Sequence, residues 1–380
     1  MMSITPISVL CLSRAPTNTK AGIPYFCKVL YKEFPCQLKI LSYTISKSHS
    51  IPEPGSCVDE RELIIKSDLI ISSFGFSYRY FRSFYELALN SNILHLQHPD
   101  PISSFCLIVV WFLSPKIRRT SKVVVTWHAE VYLSYLPAFP LLFVIDFLLF
   151  IIANKIVLPT PNHLKRSLWS LFNFFNAKTI IIPFGLDLPN NVSKQKIVPS
   201  ATHLRILSIG RLVSYKGYIY ALKALRDCNF PFEYVIIGDG PLLHKLRSFC
   251  RKYNLEKSVR FAMNVSDELK LYYLDWADVF LFPSISQSEA FGFVQIEAMM
   301  SGLLVINTDL KNGVNYVAPF NSSITVKPRD HIEIMEALKL ISYNRNLLAK
   351  FRRLSLNRAQ QFSSSVMRAA YYKLFSELSN

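Results

Sequence analysis

Short runs of consecutive apolar, mostly β-branched residues recur along the chain, and longer stretches with helical spacing separate them. In the first half these runs are Ile7–Leu12, Leu38–Ser42, Leu69–Ser72, Ile93–Gln97, Val123–His128, Lys155–Pro159 and Thr179–Pro183. Runs of this length with no polar alternation suit strands buried on both faces. Their alternation with helices predicts a parallel sheet covered by helices on each side. The pattern breaks at 188–203 (LPNNVSKQKIVPSATH), which is polar and rich in proline and asparagine, as a linker is. It then restarts with Leu204–Ile209, Tyr234–Gly238, Val259–Ala262, Val279–Pro283, Leu303–Asn307 and Ser323–Val326. The expectation is two doubly wound, Rossmann-like α/β domains facing each other across a cleft, each with a crevice at the carboxyl ends of its strands. The boundaries expected are 1–190, a linker at 191–203, a second domain at 204–360, and a C-terminal helix at 361–380 that packs back on the first domain.

Two stretches are apolar throughout, Phe105–Leu113 and Leu141–Ile152 (LLFVIDFLLFII). Neither reaches the roughly 18–20 residues that span a bilayer. They read as buried helices or, with Lys116, Arg118, Arg119 and Lys122 close behind the first, as a face that rests on an anionic membrane. The first apolar run is too short for a secretory signal, and seven cysteines show no metal-ligand spacing. Both observations place the chain in the cytoplasm or peripherally on the inner face of the membrane.

A formal charge of +17 changes the picture of the partner more than of the fold. Residues 1–190 hold 18 basic and 11 acidic side chains, and the remainder hold 25 and 15, so the excess is spread over both halves. Phosphorylated small molecules and anionic lipid fit such a surface. With no zinc-finger spacing, RNA-binding signature or basic arm, no nucleic acid partner is expected.

The candidate chemistry lies where strands end. Strand Leu204–Ile209 runs into Gly210-Arg211-Leu-Val-Ser-Tyr-Lys216-Gly217, whose guanidinium fork and mobile ammonium can meet a diphosphate. Strand Tyr234–Ile237 ends in the tight turn Gly238-Asp239-Gly240-Pro241. After Val279–Pro283 comes a loop with Glu289, then a helix beginning near Phe291–Phe293 that contains Glu297. A helix start offers free amides and a positive dipole end, which together make an anion site. Paired acids at this spacing are common by chance. Beside an anion cradle and a loop with two cations, they carry more meaning.

The segment ADVFLFPSISQSEAFGFVQIEAMMSGLLVI (277–306) resembles the E-x7-E region of the retaining glycosyltransferases of family 4, which have the GT-B fold. GRLVSYKG (210–217), VIIGDGPL (235–242), Ala21-Gly22-Ile23, TWHAE (126–130) and Ile182–Asp187 resemble further elements of that family. The resemblance spans about residues 20–310. It implies that Arg211 and Lys216 hold the diphosphate and stabilise the leaving nucleotide, and that Glu297 accepts hydrogen bonds from ribose hydroxyls. It implies that Glu289 contacts the donor sugar, with the Phe291, Gly292, Phe293 and Val294 amides around sugar and phosphate. Gly22 would let its loop close on the phosphates, and His128 would lie near the transferred sugar, although a histidine ending an apolar strand is often only a satisfied structural group. A hexose would pass with retention from a sugar nucleotide, GDP-mannose ahead of UDP-hexoses, to a saccharide acceptor on a lipid carrier in bacterial surface polysaccharide synthesis. No cofactor and no metal are expected, because cations and helix amides stabilise the leaving phosphate. The rival readings are a GT-B sugar-nucleotide epimerase and a non-catalytic, basic, membrane-associated protein. The chain departs from the family at Ala21, at Phe320–Pro328, which lacks the usual glycines, and at Leu304.

Overall fold

The computed structural model describes residues 7–17, 22–44, 61–66, 69–71, 74–128, 139–166, 168–187, 203–286, 289 and 291–379. The chain divides into two compact units, one of residues 1–185 with 364–380 and one of residues 186–363. The polar stretch 188–202 and Ala21 lie outside the described residues.

Among the described residues the first unit has nine strands: β1 (Ser8–Ser13), β2 (Gln37–Thr44), β3 (Glu62–Lys66), β4 (Leu69–Ile71), β5 (Phe74–Phe76), β6 (Ile93–His98), β7 (Lys122–Trp127), β8 (Lys155–Leu158) and β9 (Thr179–Ile181). Seven of them form a parallel sheet in the order β3-β2-β1-β6-β7-β8-β9. The chain reverses direction between β1 and β6, so a crevice opens at the carboxyl ends of that pair. One expectation fails. Leu69–Ser72 is not a strand of the parallel sheet; β4 pairs antiparallel with β5 in a separate two-stranded ribbon. The sheet takes β3 instead, whose text Glu-Leu-Ile-Ile-Lys is charged at both ends. An edge strand has a partner on one side only, and exposed Lys66 hinders pairing with other chains, while Glu62 is buried and accepts from Ser42 Oγ at 2.8 Å. The C-terminal helix Ser364–Ser379 belongs to this unit. It packs on helix Gly22–Tyr31, with Arg368 donating to the Val29 carbonyl at 3.1 Å and Tyr371 and Phe375 buried.

The two apolar helices, Pro101–Leu113 and Phe139–Ile152, lie side by side on this sheet. Each has a buried face: Cys106, Leu107 and Val110 on the first, Leu142, Leu149 and Phe150 on the second. Each also exposes large apolar side chains, so neither is the wholly buried helix of one reading. No described helix is long and apolar enough to cross a membrane.

Among its described residues the second unit has six parallel strands: β10 (Leu204–Ile209), β11 (Phe232–Ile237), β12 (Val259–Ala262), β13 (Val279–Phe282), β14 (Leu304–Thr308) and β15 (Ile324–Val326). Their order is β12-β11-β10-β13-β14-β15, with the reversal between β10 and β13. This is the dinucleotide-fold order, and it brings the loops after β10 and β13 together at the carboxyl edge. At the amino edge, Asp278 is buried and accepts from the backbone and guanidinium of Arg205 at 3.0–3.2 Å. That ion pair joins β10 to β13 and is structural. Leu304, where the family pattern differs, is a fully buried core residue.

Candidate functional site

The loop after β10 is held against the loop after β13. The Ile285 N–H donates to the Tyr215 carbonyl at 2.8 Å. Gly217 stands at φ 68°, where a Cβ would come within 2.0 Å of the Pro283 carbonyl oxygen, so only glycine allows the two loops to meet this closely. That contact sets the position of Lys216. Its Nζ lies 2.5 Å from Glu289 Oε2 and 5.1 Å above the Phe282 ring. Ser284 Oγ donates to the same carboxylate oxygen at 3.3 Å. Glu289 is buried, and its backbone carbonyl accepts from Asn312 Nδ2 at 2.6 Å. Asn312 in turn caps helix Gly313–Val317 through the Val314 N–H. Burial, with the Glu289 charge close by, pushes the Tyr215 hydroxyl above its usual range.

Helix Phe293–Met300 starts beside this pair. Its N-cap, Gly292, is left-handed at φ 78°, and a Cβ there would meet Gln295 Nε2 at 2.7 Å. Gln295 is fully buried in a polar chain: its Nε2 donates to the Val314 carbonyl, and its Oε1 accepts from Asn307 Nδ2 at 3.1 Å. This chain fixes the first turn, whose N–H groups lie at the positive end of the helix dipole. Phe291 is buried, while Phe293 and Val294 are half-buried. Glu297, one turn further in, lies 3.3 Å from Lys270 Nζ on helix Asp267–Trp276.

The structure therefore brings Lys216, Glu289 and the Phe293 helix start together. Arg211 is exposed at the head of the same loop, and Glu297 faces Lys270. Ser284, Asn312 and Lys270 were missed from sequence. Ser284 adjoins the Glu289 text and was within reach. Lys270 and Asn312 arrive from other elements, and nothing near them in the chain announces it. In the divergent stretch Phe320–Pro328, Thr325 Oγ1 donates to Asn307 Oδ1 at 2.9 Å and so completes the Gln295 chain without the family's glycines.

The first unit gathers a different set at the carboxyl ends of β6 and β7. His128 is buried against Phe26 and Phe184, with ring centroids 4.9 and 4.8 Å away. Its Nε2 bonds Gln97 Oε1 at 2.9 Å, so the proton sits on Nε2 and Nδ1 is the acceptor. Burial, with His95 and His98 nearby, holds His128 well below the usual imidazole range. His95 bonds Thr126 Oγ1 at 2.7 Å, and Thr126 meets the Tyr371 hydroxyl at 2.8 Å. Burial pushes the His95 pKa down to about 3. His128 is thus a satisfied neutral group. Gly22 begins its helix exposed, and a Cβ there would stand in open space, so packing does not demand glycine.

Residues 190–357 match the family model described as glycosyl transferases group 1. The chain is 27% identical to the D-rhamnosyltransferase WbpZ of Pseudomonas aeruginosa over 312 residues, covering 76% of each protein. It is 24% identical to the O-antigen chain mannosyltransferase C of Escherichia coli, covering 86% of each. Among solved structures, Anabaena Alr3699/HepE in complex with UDP superposes with a TM-score of 0.76 at 14% identity, over 98% of this chain and all of that one. Residues 190–357 are thus similar to the group 1 glycosyltransferases, and the two α/β units have the fold of GT-B enzymes.

Proposed function

We propose that this glycosyltransferase is a retaining enzyme of family 4 that moves a hexose from a nucleotide-diphosphate sugar to a lipid-linked saccharide. The setting is the synthesis of a bacterial surface polysaccharide such as O-antigen. The observation that carries the reading is the Lys216–Glu289 contact beside the start of the Phe293 helix. An ammonium has three N–H donors. One is directed at Glu289, which leaves the others for a donor phosphate, while Arg211 adds a second cation from the same loop. Charge builds on the leaving diphosphate as the glycosidic bond breaks, and fixed cations and helix amides aimed there lower the barrier. In this reading no metal is needed, because Lys216 and Arg211 supply the positive charge. Glu289 holds the donor sugar's hydroxyls and fixes Lys216; Glu297 receives the ribose hydroxyls. Gly22 leaves room for a ligand, and neutral His128 orients a hydroxyl of the transferred sugar. The enzyme works peripherally at the inner face of the cytoplasmic membrane, where a lipid-linked acceptor is presented.

The name of the similar O-antigen chain mannosyltransferase favours a mannose donor, GDP-mannose in this reading, whereas the UDP complex among the fold neighbours favours UDP-hexoses. A thermal-shift comparison of GDP with UDP decides between them, since a bound nucleotide raises the melting temperature by mass action. A labelled sugar nucleotide with lipid-linked acceptor should then yield a glycosylated product of unchanged anomeric configuration by NMR. An altered free sugar nucleotide with no transfer product would show an epimerase instead.

A further inference from the structure

The outer faces of the two apolar helices of the first unit are not accounted for by glycosyl transfer. On helix Pro101–Leu113, Phe105 and Phe112 are 48% and 54% exposed and Leu113 is 75% exposed. On helix Phe139–Ile152, Leu141, Val144 and Ile151 are 64%, 52% and 45% exposed. Positions 105 and 112 are seven apart, and positions 141, 144 and 151 follow at intervals of three and seven, so each set lies on one side of its helix. The helices that carry the two stripes pack side by side on the sheet. A helix lying on a sheet ordinarily turns polar residues to water, and a continuous apolar patch with a polar border marks a docking surface.

The charges around the patch indicate what docks. Asp146, the single acid on either helix, is turned inward: its side chain is 8% exposed and lies 3.1 Å from His98 Nε2. Between Pro101 and Lys178 the sequence holds eight lysines and arginines against two acids, Glu130 and Asp146. Lys116, Arg118 and Arg119 are exposed on the short helix Pro115–Thr120 that follows Leu113, and Lys122 is exposed at the start of β7. Lys178 Nζ donates to the Phe150 and Ile151 carbonyls at the end of the second helix. Both helices return antiparallel to parallel strands, so their C-terminal ends lie together at the amino edge of the sheet. The cations therefore border one end of the apolar surface, opposite the carboxyl edge that holds His128.

We propose that this face docks on an anionic lipid bilayer. Phe105, Phe112, Leu113, Leu141, Val144 and Ile151 enter the acyl boundary, and Lys116, Arg118, Arg119 and Lys122 meet headgroup phosphates. An apolar stripe with cations at its border is the arrangement of a protein that lies on a membrane without crossing it. The proposal deepens the reading of a lipid-linked acceptor, but its test needs neither donor nor acceptor. The full chain is sedimented with vesicles of phosphatidylcholine alone and with added phosphatidylglycerol, at low and high salt. Binding should be about tenfold or more stronger on the anionic vesicles and should weaken as salt rises. Arg118→Glu with Arg119→Glu, and separately Phe112→Ser with Leu141→Ser, should each lower binding about tenfold or more, while melting temperature and nucleotide-induced stabilisation stay as in the parent. Equal binding to both vesicles with no salt effect, or variants that bind like the parent, would overturn the proposal. So would light scattering that shows the parent self-associating and the apolar variants monomeric, since the face would then pair two copies. Loss of lipid binding with nucleotide stabilisation intact leaves the glycosyltransferase site standing, and the reverse result leaves the docking face standing.

Discussion

The two units place polar groups at equivalent points, the carboxyl ends of strands beside a topological reversal, and fill them with opposite chemistry. The second unit has Lys216, Glu289, Lys270 and Glu297 in ion pairs that keep some access to water. The first has His95, Gln97, His128, Thr126 and Tyr371, all buried, uncharged and joined by hydrogen bonds. A charge near solvent can exchange its partner for an incoming anion at little cost. An imidazole buried against Phe26 and Phe184, as His128 is, loses so much hydration that its charged form is suppressed, and it can only shape a pocket or direct a hydrogen bond. The same topology thus carries charged groups in one unit and a buried, neutral cluster in the other.

The largest expected break in this contrast is Lys216→Ala. It should lower kcat/KM by about 10²–10³-fold and abolish nucleotide-induced stabilisation in a thermal shift. Activity within a few-fold of the parent would show that Lys216 is not part of the charged pole. Next is Gly217→Ala, which sets a Cβ 2.0 Å from the Pro283 carbonyl in a left-handed conformation. Strain of about 1–3 kcal/mol is expected in urea unfolding, with weakened nucleotide binding as the loops part. An unchanged midpoint and affinity would mean that the loops do not need this contact.

Acid sharpens the contrast from the other pole. Burial lowers His95 to about 3 and, outside that cluster, lowers His163, which bonds Thr160 Oγ1 at 2.7 Å, to about 4, against about 6.5 in the unfolded chain. Between these values the unfolded chain takes up protons that the folded one refuses. The stabilising contribution is therefore complete above pH 6.5 and is lost as pH falls towards 4, at about 1.4 kcal/mol per pH unit for each histidine. Urea unfolding from pH 7 to pH 4.5 measures the slope, and a flat profile would count against a sealed neutral cluster. The smallest effect is expected from Lys270→Met. The Lys270–Glu297 pair is partly exposed, with side chains 28% and 21% accessible, so its loss should raise donor KM by about two- to fivefold with kcat nearly unchanged. A matching fall in kcat would place Lys270 in the chemical step instead.

Several features of the fold are legible in the chain because each depends on a local run of residues. Val279–Phe282 is apolar without interruption and Leu204–Ile209 is broken only by Arg205 and Ser208, which announces strands buried on both faces, and both stand at the centre of the second sheet. Strand β3 was not legible, because an edge strand needs no continuous apolar run, and Leu69–Ile71 nearby is the more apolar of the two. Of the candidate site, Glu289 and Lys216 could be named from loops that follow central strands. Their 2.5 Å contact could not, because it depends on Gly217 resting against Pro283 from another loop.

By itself the sequence determined the two doubly wound sheets, the acidic and basic loops at their ends, and the resemblance to retaining glycosyltransferases. Those rest on residue types at short spacing. Tertiary structure alone decided that Lys270 reaches Glu297, that Asn312 holds the Glu289 backbone, that His128 bonds Gln97, and that Asp146 turns inward while its apolar neighbours turn out. Each of these joins positions far apart in the chain. Strand order and helix rotation set such contacts, and a one-dimensional pattern of apolar and polar residues does not encode them.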